Sequence, residues 1–336
     1  MPDGISDGIV YAGCTESGFD IFRYLHENVV PITEVLTLTP EQAQEHDVAG
    51  YYSFQSYAES NDIDVYTPET YSMGDERDLD HFRSRTTELL LVHGWQRLIP
   101  GEVLDTFTHG AFGLHGSAYG LPKGRGRSPM NWSLIQDLNR FLLSVMQLDE
   151  GADSGNVVET TKFDINPHDD IRTLYYKLVL AGQELFEHCI DDIEAGTLST
   201  IPQEEEPTYY PKRTPEDGAI NWADPTETIY DLIRAVTHPY PGAFTEYDSE
   251  RIFIWKGQPF SDDFVFDEPP GTIVQVFTGT DDFVVATPDG SLLVTEWEAS
   301  NWKPESGMEL TSLPNESIDS PRRIDRPEHE SSLSSN

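Results

Sequence analysis

Apolar positions along this chain follow two kinds of pattern. GIVYAG (Gly8 to Gly13), ITEVLTL (Ile32 to Leu38), IDVYTP (Ile63 to Pro68) and TELLLVHGW (Thr87 to Trp95) are short β-branched or continuously apolar runs. Their composition and length predict strands. The stretch carrying Phe19, Phe22, Arg23 and Leu25 is helix-compatible, and the polar segment Asp75 to Arg85 predicts a second helix. Strand and helix in this rhythm predict an α/β domain, a parallel sheet with helices on both faces. Ligands on such sheets sit at the carboxyl ends of strands, which points to the loops after Gly13, Leu91 and Leu114.

The clearest helix runs from Asp169 to Ile193, where Ile171, Leu174, Tyr175, Leu178, Leu185, Phe186, Cys189 and Ile190 fall on one face. After Gly196 the composition shifts, and IPQEEEPTYYP (Ile201 to Pro211) reads as a linker. Asp224 to Ala235 predicts a short helix with Asp224 as N-cap and Pro225 in the first turn. The segments RIFIWKG, GTIVQVF, DDFVVAT and SLLVTEWEA then predict a small all-β unit compatible with a five-stranded open barrel. Apolar period ends near Leu313, and the Ser-, Glu- and Pro-rich remainder predicts disorder. The expected organisation is therefore a first domain over 1–203, a second over 204–306 and a tail over 307–336.

Charge narrows the function classes. The 336 residues hold 60 Asp and Glu against 21 Lys and Arg, a net charge of -39. Only 6 of the basic residues are Lys, none before Lys123, and the acidic residues are spread over the whole chain. Such a shell suits a protein adapted to molar salt, where screening shrinks to about 3 Å and self-repulsion is quenched. It disfavours DNA as a partner, because no basic arm or patch is present to neutralise phosphates. No run of about 18 apolar residues predicts a membrane span, and MPDGISDGIVYAG lacks the form of a signal peptide, so the expected location is cytoplasmic. Cys14 and Cys189 lack metal-ligand spacing, and no metal is expected.

Candidate chemistry concentrates in two stretches. In AFGLHGSAYGLPKGRGRSPMNWSLI (Ala111 to Ile135), an apolar strand end delivers His115 into a loop of Gly, Ser and Pro. In SVMQLDEGADSGNVV (Ser144 to Val158), another strand ends near Asp149, Glu150 and Asp153. An imidazole and a carboxylate on neighbouring strand ends make a general acid/base pair. Lys123, Arg125 and Arg127 form the densest basic cluster of an acidic chain and point to anion recognition.

The order His-x-Ser, Leu-Pro-Lys-x-Arg-Gly-Arg-x-Pro-x-Asn-Trp (Leu121 to Trp132) and Asp-x-Gly (Asp153 to Gly155) resembles the formyltransferases that use N10-formyltetrahydrofolate. YYPKRTPEDGAINWADPTETIYDLIRAVTHPYPGAF (Tyr209 to Phe244) resembles the second signature of that family. The resemblance runs from about Ile9 to about Glu298. It is similar to methionyl-tRNA formyltransferases, and more closely to the type acting on UDP-4-amino-4-deoxy-L-arabinose. It implies a Rossmann-like catalytic domain followed by a β-rich, OB-like domain. It also implies a catalytic Asn, His and Asp. His115 and Asp153 match two of them, and Gly113 stands at the position of the Asn. Ser117, Asn131 and Gln96 are the side chains available to replace its donor.

The same resemblance places the folate cosubstrate along Leu89 to Pro100, with Gly94, Trp95, Gln96, Arg97 and Leu98 around it. Ser117, Lys123, Arg125 and Gly126 are then expected at the substrate. The acceptor implied is a nucleotide-linked amino sugar, with initiator methionyl-tRNA as the alternative. Thr39 to Glu59 carries no Lys or Arg, whereas a tRNA reader uses a basic insertion there. Gly113 also motivates a third reading, a folate or nucleotide-sugar binding protein with reduced catalysis. A homodimer is compatible with all three.

Overall fold

The computed structural model describes residues 8–314, apart from positions 86, 262 and 265. Its first domain is built on strands β1 (Ile9–Ala12), β2 (Glu34–Leu36), β3 (Asp64–Tyr66), β4 (Leu89–Val92), β5 (Ala111–Ser117), β7 (Arg140–Gln147) and β8 (Val157–Asp164). They form one sheet in the order β3-β2-β1-β4-β5-β7-β8. The first five pair in parallel, while β7 runs antiparallel to both β5 and β8. The expected parallel sheet is thus a mixed one, because the β5–β7 connection returns without a full crossover to the same edge.

Strands β1 and β4 are buried on both faces, which is why they read as unbroken apolar runs. One face packs on the helices Glu16–Asn28 and Ile171–Ala195 around Tyr11, Phe22, Phe112 and Phe186. The other face packs Val10, Leu90, Val103 and Phe107. The long helix starts with a reciprocal cap between Asp170 and Thr173 and ends at Gly196 in the left-handed conformation. No described helix is long and apolar enough to cross a membrane.

A short parallel ribbon, β6 (Arg125–Gly126) with β9 (Tyr209–Tyr210), joins the domains. The stretch read as a linker therefore includes an ordered strand, with both tyrosines buried. The second domain holds β10 (Ala243–Tyr247), β11 (Glu250–Pro259), β12 (Ile273–Phe277), β13 (Asp282–Thr287) and β14 (Gly290–Glu298) in an antiparallel sheet ordered β10-β11-β14-β13-β12. Leu310 is buried against this sheet, and Glu309 and Thr311 bridge to Thr272 and Glu246. Residues 307–313, expected in the tail, are part of the second domain's surface. Positions 315–336 lie outside the described residues.

The helix expected from Asp224 spans Thr226–Val236, with Pro225 at its N-cap. Its first N–H groups are served from a distance: Thr226 N donates to Asp289 Oδ1 at 2.9 Å. Asp224 instead accepts from Asn221 Nδ2 at 2.9 Å. This helix also carries a buried ion pair, Arg234 Nη2 to Asp231 Oδ1 at 2.6 Å. Arg234 Nη1 continues to the carbonyls of Asp169 (3.0 Å) and Asn166 (3.3 Å), which lead into the long helix of the first domain. Replacing Arg234 by Met leaves the Asp231 carboxylate buried without its cation. We expect a loss of about 3–5 kcal/mol in denaturant unfolding, and a loss below about 1 kcal/mol would show that the pair does not hold this interface.

Candidate active site

A cleft of about 790 Å³ opens at the carboxyl ends of β1 and β4 and continues between the two domains. This is where the parallel strand order reverses, the usual position of a ligand on such a sheet. His115, Gly94, Gln96, Arg97 and Arg127 line it from the first domain, and Lys212, Arg213, His238 and Tyr240 from the second.

His115 projects from β5 on the same face as Gly113 and Ser117. Its Nδ1 lies 3.3 Å from Asp153 Oδ1, and its Nε2 lies 3.0 Å from the Gly124 carbonyl oxygen. Acceptors therefore face both ring nitrogens, an arrangement that stabilises the ring once it has taken up a proton. Asp153 is fixed in turn. Its Oδ2 accepts from the Gly126 N–H at 2.8 Å, and its own backbone is left-handed, with φ +53°. Gln203 Nε2 donates to the carbonyls of Asp153 (2.9 Å) and Gly155 (2.6 Å). The residues predicted as an acid/base pair are thus brought together, and backbone of the interdomain ribbon sets their spacing.

Gly113 lies on the same strand as His115, and a side chain there would meet the tip of Leu148. A Cβ there would stand 2.8 Å from Leu148 Cδ2. The volume next to His115 that a side chain at position 113 would enter is filled by an apolar one. Two of the three candidate substitutes for the Asn donor are committed elsewhere. Ser117 Oγ donates to the Lys123 carbonyl at 2.5 Å, and Asn131 Nδ2 donates to the Ala235 carbonyl at 2.7 Å. Gln96 remains on the cleft wall. Its Oε1 accepts from Arg127 Nη2 at 3.3 Å, which assigns the amide orientation and turns Nε2 away as a donor.

The other predicted site residues divide. Gly94, Gln96 and Arg97 line the cleft. Trp95 turns inward and packs edge-on against Tyr71 at 4.7 Å, and the Leu98 side chain is exposed away from the cleft. The peptide groups of Arg97 and Leu98 have no hydrogen-bond partner among the described residues. That unpaired edge fits a heterocycle that presents its own donors and acceptors. Lys123 and Arg125 do not line the cleft. Lys123 Nζ donates to the Glu206 carbonyl, and the buried Arg125 guanidinium holds Gln203 Oε1 (2.8 Å) and the Tyr209 hydroxyl (3.2 Å). These two cations tie the loop to the segment before the second domain. Ser117, expected at the substrate, closes the same loop.

Five of the protein's basic residues, Arg97, Arg127, Arg172, Lys212 and Arg213, line the cleft against the carboxylates Glu16, Asp20 and Asp47. Asp217 favours the charged form of Arg213, and Asp153 that of Arg127. Burial, and then the adjacent Arg97, hold the Arg127 guanidinium below its ordinary range. His93 also lines the cleft, but burial pushes its imidazole down to about 4, which leaves it neutral and bonded to Ser17 Oγ at 3.2 Å. His115 is the cleft-lining ring that faces a carboxylate, Asp153. Arg213 stands inside the second signature stretch, whereas nothing in the sequence marks Gln203.

The chain matches the formyl transferase family model over residues 26–190 and the formyl transferase C-terminal domain model over 212–313. Among solved structures it is similar to an N-formyltransferase from Helicobacter canadensis in complex with folinic acid and dTDP-3-aminofucose. That match has 18% identity and a TM-score of 0.63, and covers 87% of this chain and 100% of that one. It is similar to HypX from Aquifex aeolicus in complex with tetrahydrofolic acid, at 15% identity and TM-score 0.61, over 88% of this chain and 44% of that one. It is also similar to methionyl-tRNA formyltransferase from Clostridium thermocellum, at 20% identity and TM-score 0.54, over 88% and 99%.

Gly126 gives the sharpest test of how the pair is held. Its φ is +96°, and a Cβ there would lie 2.5 Å from the Tyr210 carbonyl oxygen. Gly126→Ala should cost about 1–3 kcal/mol of stability and loosen the N–H bond to Asp153. A melting curve and a crystal structure of the variant check this, and an unchanged Asp153 position with unchanged stability would contradict it.

Proposed function

The chain belongs to the formyl transferase family through both of its domains, and we propose that it moves a formyl group from N10-formyltetrahydrofolate to the primary amine of a nucleotide-linked amino sugar. One observation carries this reading. The His115–Asp153 pair opens onto a cleft lined by Arg97, Arg127, Arg172, Lys212 and Arg213, so acid/base chemistry and anion recognition share one site. The structural likeness to an N-formyltransferase holding folinic acid and a dTDP-amino sugar supports the choice of both ligands.

The folate supplies the activated formyl carbon. The protein's part is to orient the amine, take its proton and stabilise charge on the formyl oxygen. His115, held through Nδ1 by the Asp153 carboxylate, accepts the amine proton at Nε2 as the amine takes the place of the Gly124 carbonyl there, and Asp153 stabilises the charged ring that results. The same ring returns the proton to the departing folate nitrogen as the old carbon–nitrogen bond breaks. Gln96 Nε2, held in orientation by Arg127, donates to the developing oxyanion in place of the side chain that Gly113 lacks. The unpaired peptide edge at Arg97 and Leu98 receives the pterin, and the cations across the cleft receive the anionic groups of both ligands.

Gly113 favours a second reading. A site without that side-chain donor suits a protein that binds the same ligands and transfers slowly or not at all. One assay separates the two. The full chain, in about 2 M KCl, is given N10-formyltetrahydrofolate with a panel of UDP- and dTDP-amino sugars, and with methionyl-tRNA in a parallel arm. Transfer to a nucleotide amino sugar is expected. His115→Asn and Asp153→Asn should each lower kcat by about 10²-fold or more, and Gln96→Leu by about 10²- to 10³-fold. Turnover with methionyl-tRNA alone would overturn the acceptor. Binding of both ligands without tetrahydrofolate release would establish the second reading.

A further inference from the structure

We propose that Cys14 and Tyr71 are positioning residues for the folate cosubstrate: with Gly94 and Gln96 they close a hydrogen-bonded circuit that fixes the turn ahead of the open peptide edge at Arg97 and Leu98. This rests on the reading that the edge receives the pterin.

The turn follows β4, and close backbone contacts set its approach. Cβ atoms at Gly13 and Gly18 would lie 2.5 and 2.7 Å from the His93 carbonyl oxygen, so the chain rests directly on the end of β1 and the first helix. Gly94 has a φ of +76°, and a Cβ there would overlap Thr15 Oγ1. Beyond Gly94 the support is polar. The Gln96 N–H donates to the Tyr71 hydroxyl at 3.0 Å, and the Cys14 thiol donates to the Gly94 carbonyl at 3.2 Å. Tyr71 Oη and Cys14 Sγ stand 3.5 Å apart. Only one assignment of hydrogens is consistent with all three contacts. The thiol has a single hydrogen and a carbonyl can only accept it, so the Tyr71 hydroxyl donates to the sulfur. Gln96, Tyr71, Cys14 and Gly94 therefore form one directed circuit that grips both ends of a three-residue turn.

Both side chains are built to keep this arrangement. Cys14 is fully buried and Tyr71 nearly so. Burial pushes the thiol up to about 11 and raises the Tyr71 hydroxyl well above its ordinary value, so each keeps the hydrogen that the circuit needs. Tyr71 stands between β3 and the helix Glu76–Arg83, in a segment held by the buried Asp78. That carboxylate accepts from the Glu69 N–H at 2.8 Å and the Thr70 N–H at 3.3 Å. The Tyr71 ring meets Trp95 edge-on at 4.7 Å and carries the Arg97 guanidinium at 4.8 Å. One side chain thus touches Trp95, Gln96 and Arg97 in succession. It takes the Gln96 N–H and leaves the next two, which decides where the paired part of the loop ends and the free edge begins. Neither Cys14 nor Tyr71 lines the cleft, so they act on the ligand through the turn. An edge fixed before binding costs less ordering when the ligand arrives.

The test is calorimetric titration of the full chain with 5-formyltetrahydrofolate, beside thermal melting. Tyr71→Phe keeps the ring contacts and removes the hydroxyl, and Cys14→Ala removes the thiol. Each should weaken 5-formyltetrahydrofolate by about 5- to 20-fold. With the amine acceptor found in the amino-sugar assay, KM for N10-formyltetrahydrofolate should rise in proportion while kcat stays within about threefold. The double variant should bind within about twofold of either single one, because one break opens the whole circuit. Cys14→Ser restores a donor and should bind within about threefold of the wild type. The Cys14 pair serves if Tyr71→Phe fails to fold. Variants that melt lower yet bind the folate like the wild type would overturn positioning by reducing both residues to packing. Losses that add in the double variant, or a Cys14→Ser as weak as Cys14→Ala, would overturn the circuit. Gly94→Ala, which displaces the turn itself, separates these failures from that of the underlying reading. Folate binding lost in Gly94→Ala but kept in the other variants would overturn positioning alone, and folate binding kept in Gly94→Ala as well would remove the pterin from this edge.

Discussion

The site stands on a two-residue ribbon. Arg125 and Gly126 pair with Tyr209 and Tyr210, and from that pairing the Gly126 N–H reaches Asp153, which faces His115. Only glycine fits at 126, because its φ is positive and the Tyr210 carbonyl lies against it. Arg125 and Gln203 lock the same joint from the other side, with Gln203 also holding the carbonyls around Asp153. The acid/base pair is therefore positioned by the segment that leads into the second domain. A change in how the domains meet would move the carboxylate before it moved the histidine, whose strand lies inside the sheet.

Charge is divided between shell and cleft. The bulk of -39 acts against any polyanion at low salt, so it does not recruit the ligands proposed for this site. Inside the cleft the balance reverses. Burial, and then the adjacent Arg97, disfavour the charge of Arg127, and burial disfavours that of Arg213 despite the nearby Asp217.

The replacement of a side chain by Gly113 has a structural consequence beyond a missing donor. The tip of Leu148 stands where a Cβ at 113 would go, and the residue packs on the apolar layer of Val10, Leu90 and Val103. The Gln96 amide on the cleft wall takes its orientation from Arg127.

The sequence by itself determined the elements whose signals are local. Continuous apolar strands, the long amphipathic helix with its caps and the positions of His115 and Asp153 were legible because period, capping and motif order act over a few residues. Only the tertiary structure decided the rest. It made β7 and β8 antiparallel, turned Lys123 and Arg125 into braces for the interdomain joint, and filled the space at Gly113 with Leu148. It also left two donors of Arg213 without hydrogen-bond partners among the described residues. Each of these depends on which side chains meet across tens to more than a hundred residues of chain. A cation looks the same in sequence whether it faces a carbonyl, a carboxylate or an open cleft. Its role is settled by the partner that folding brings to it.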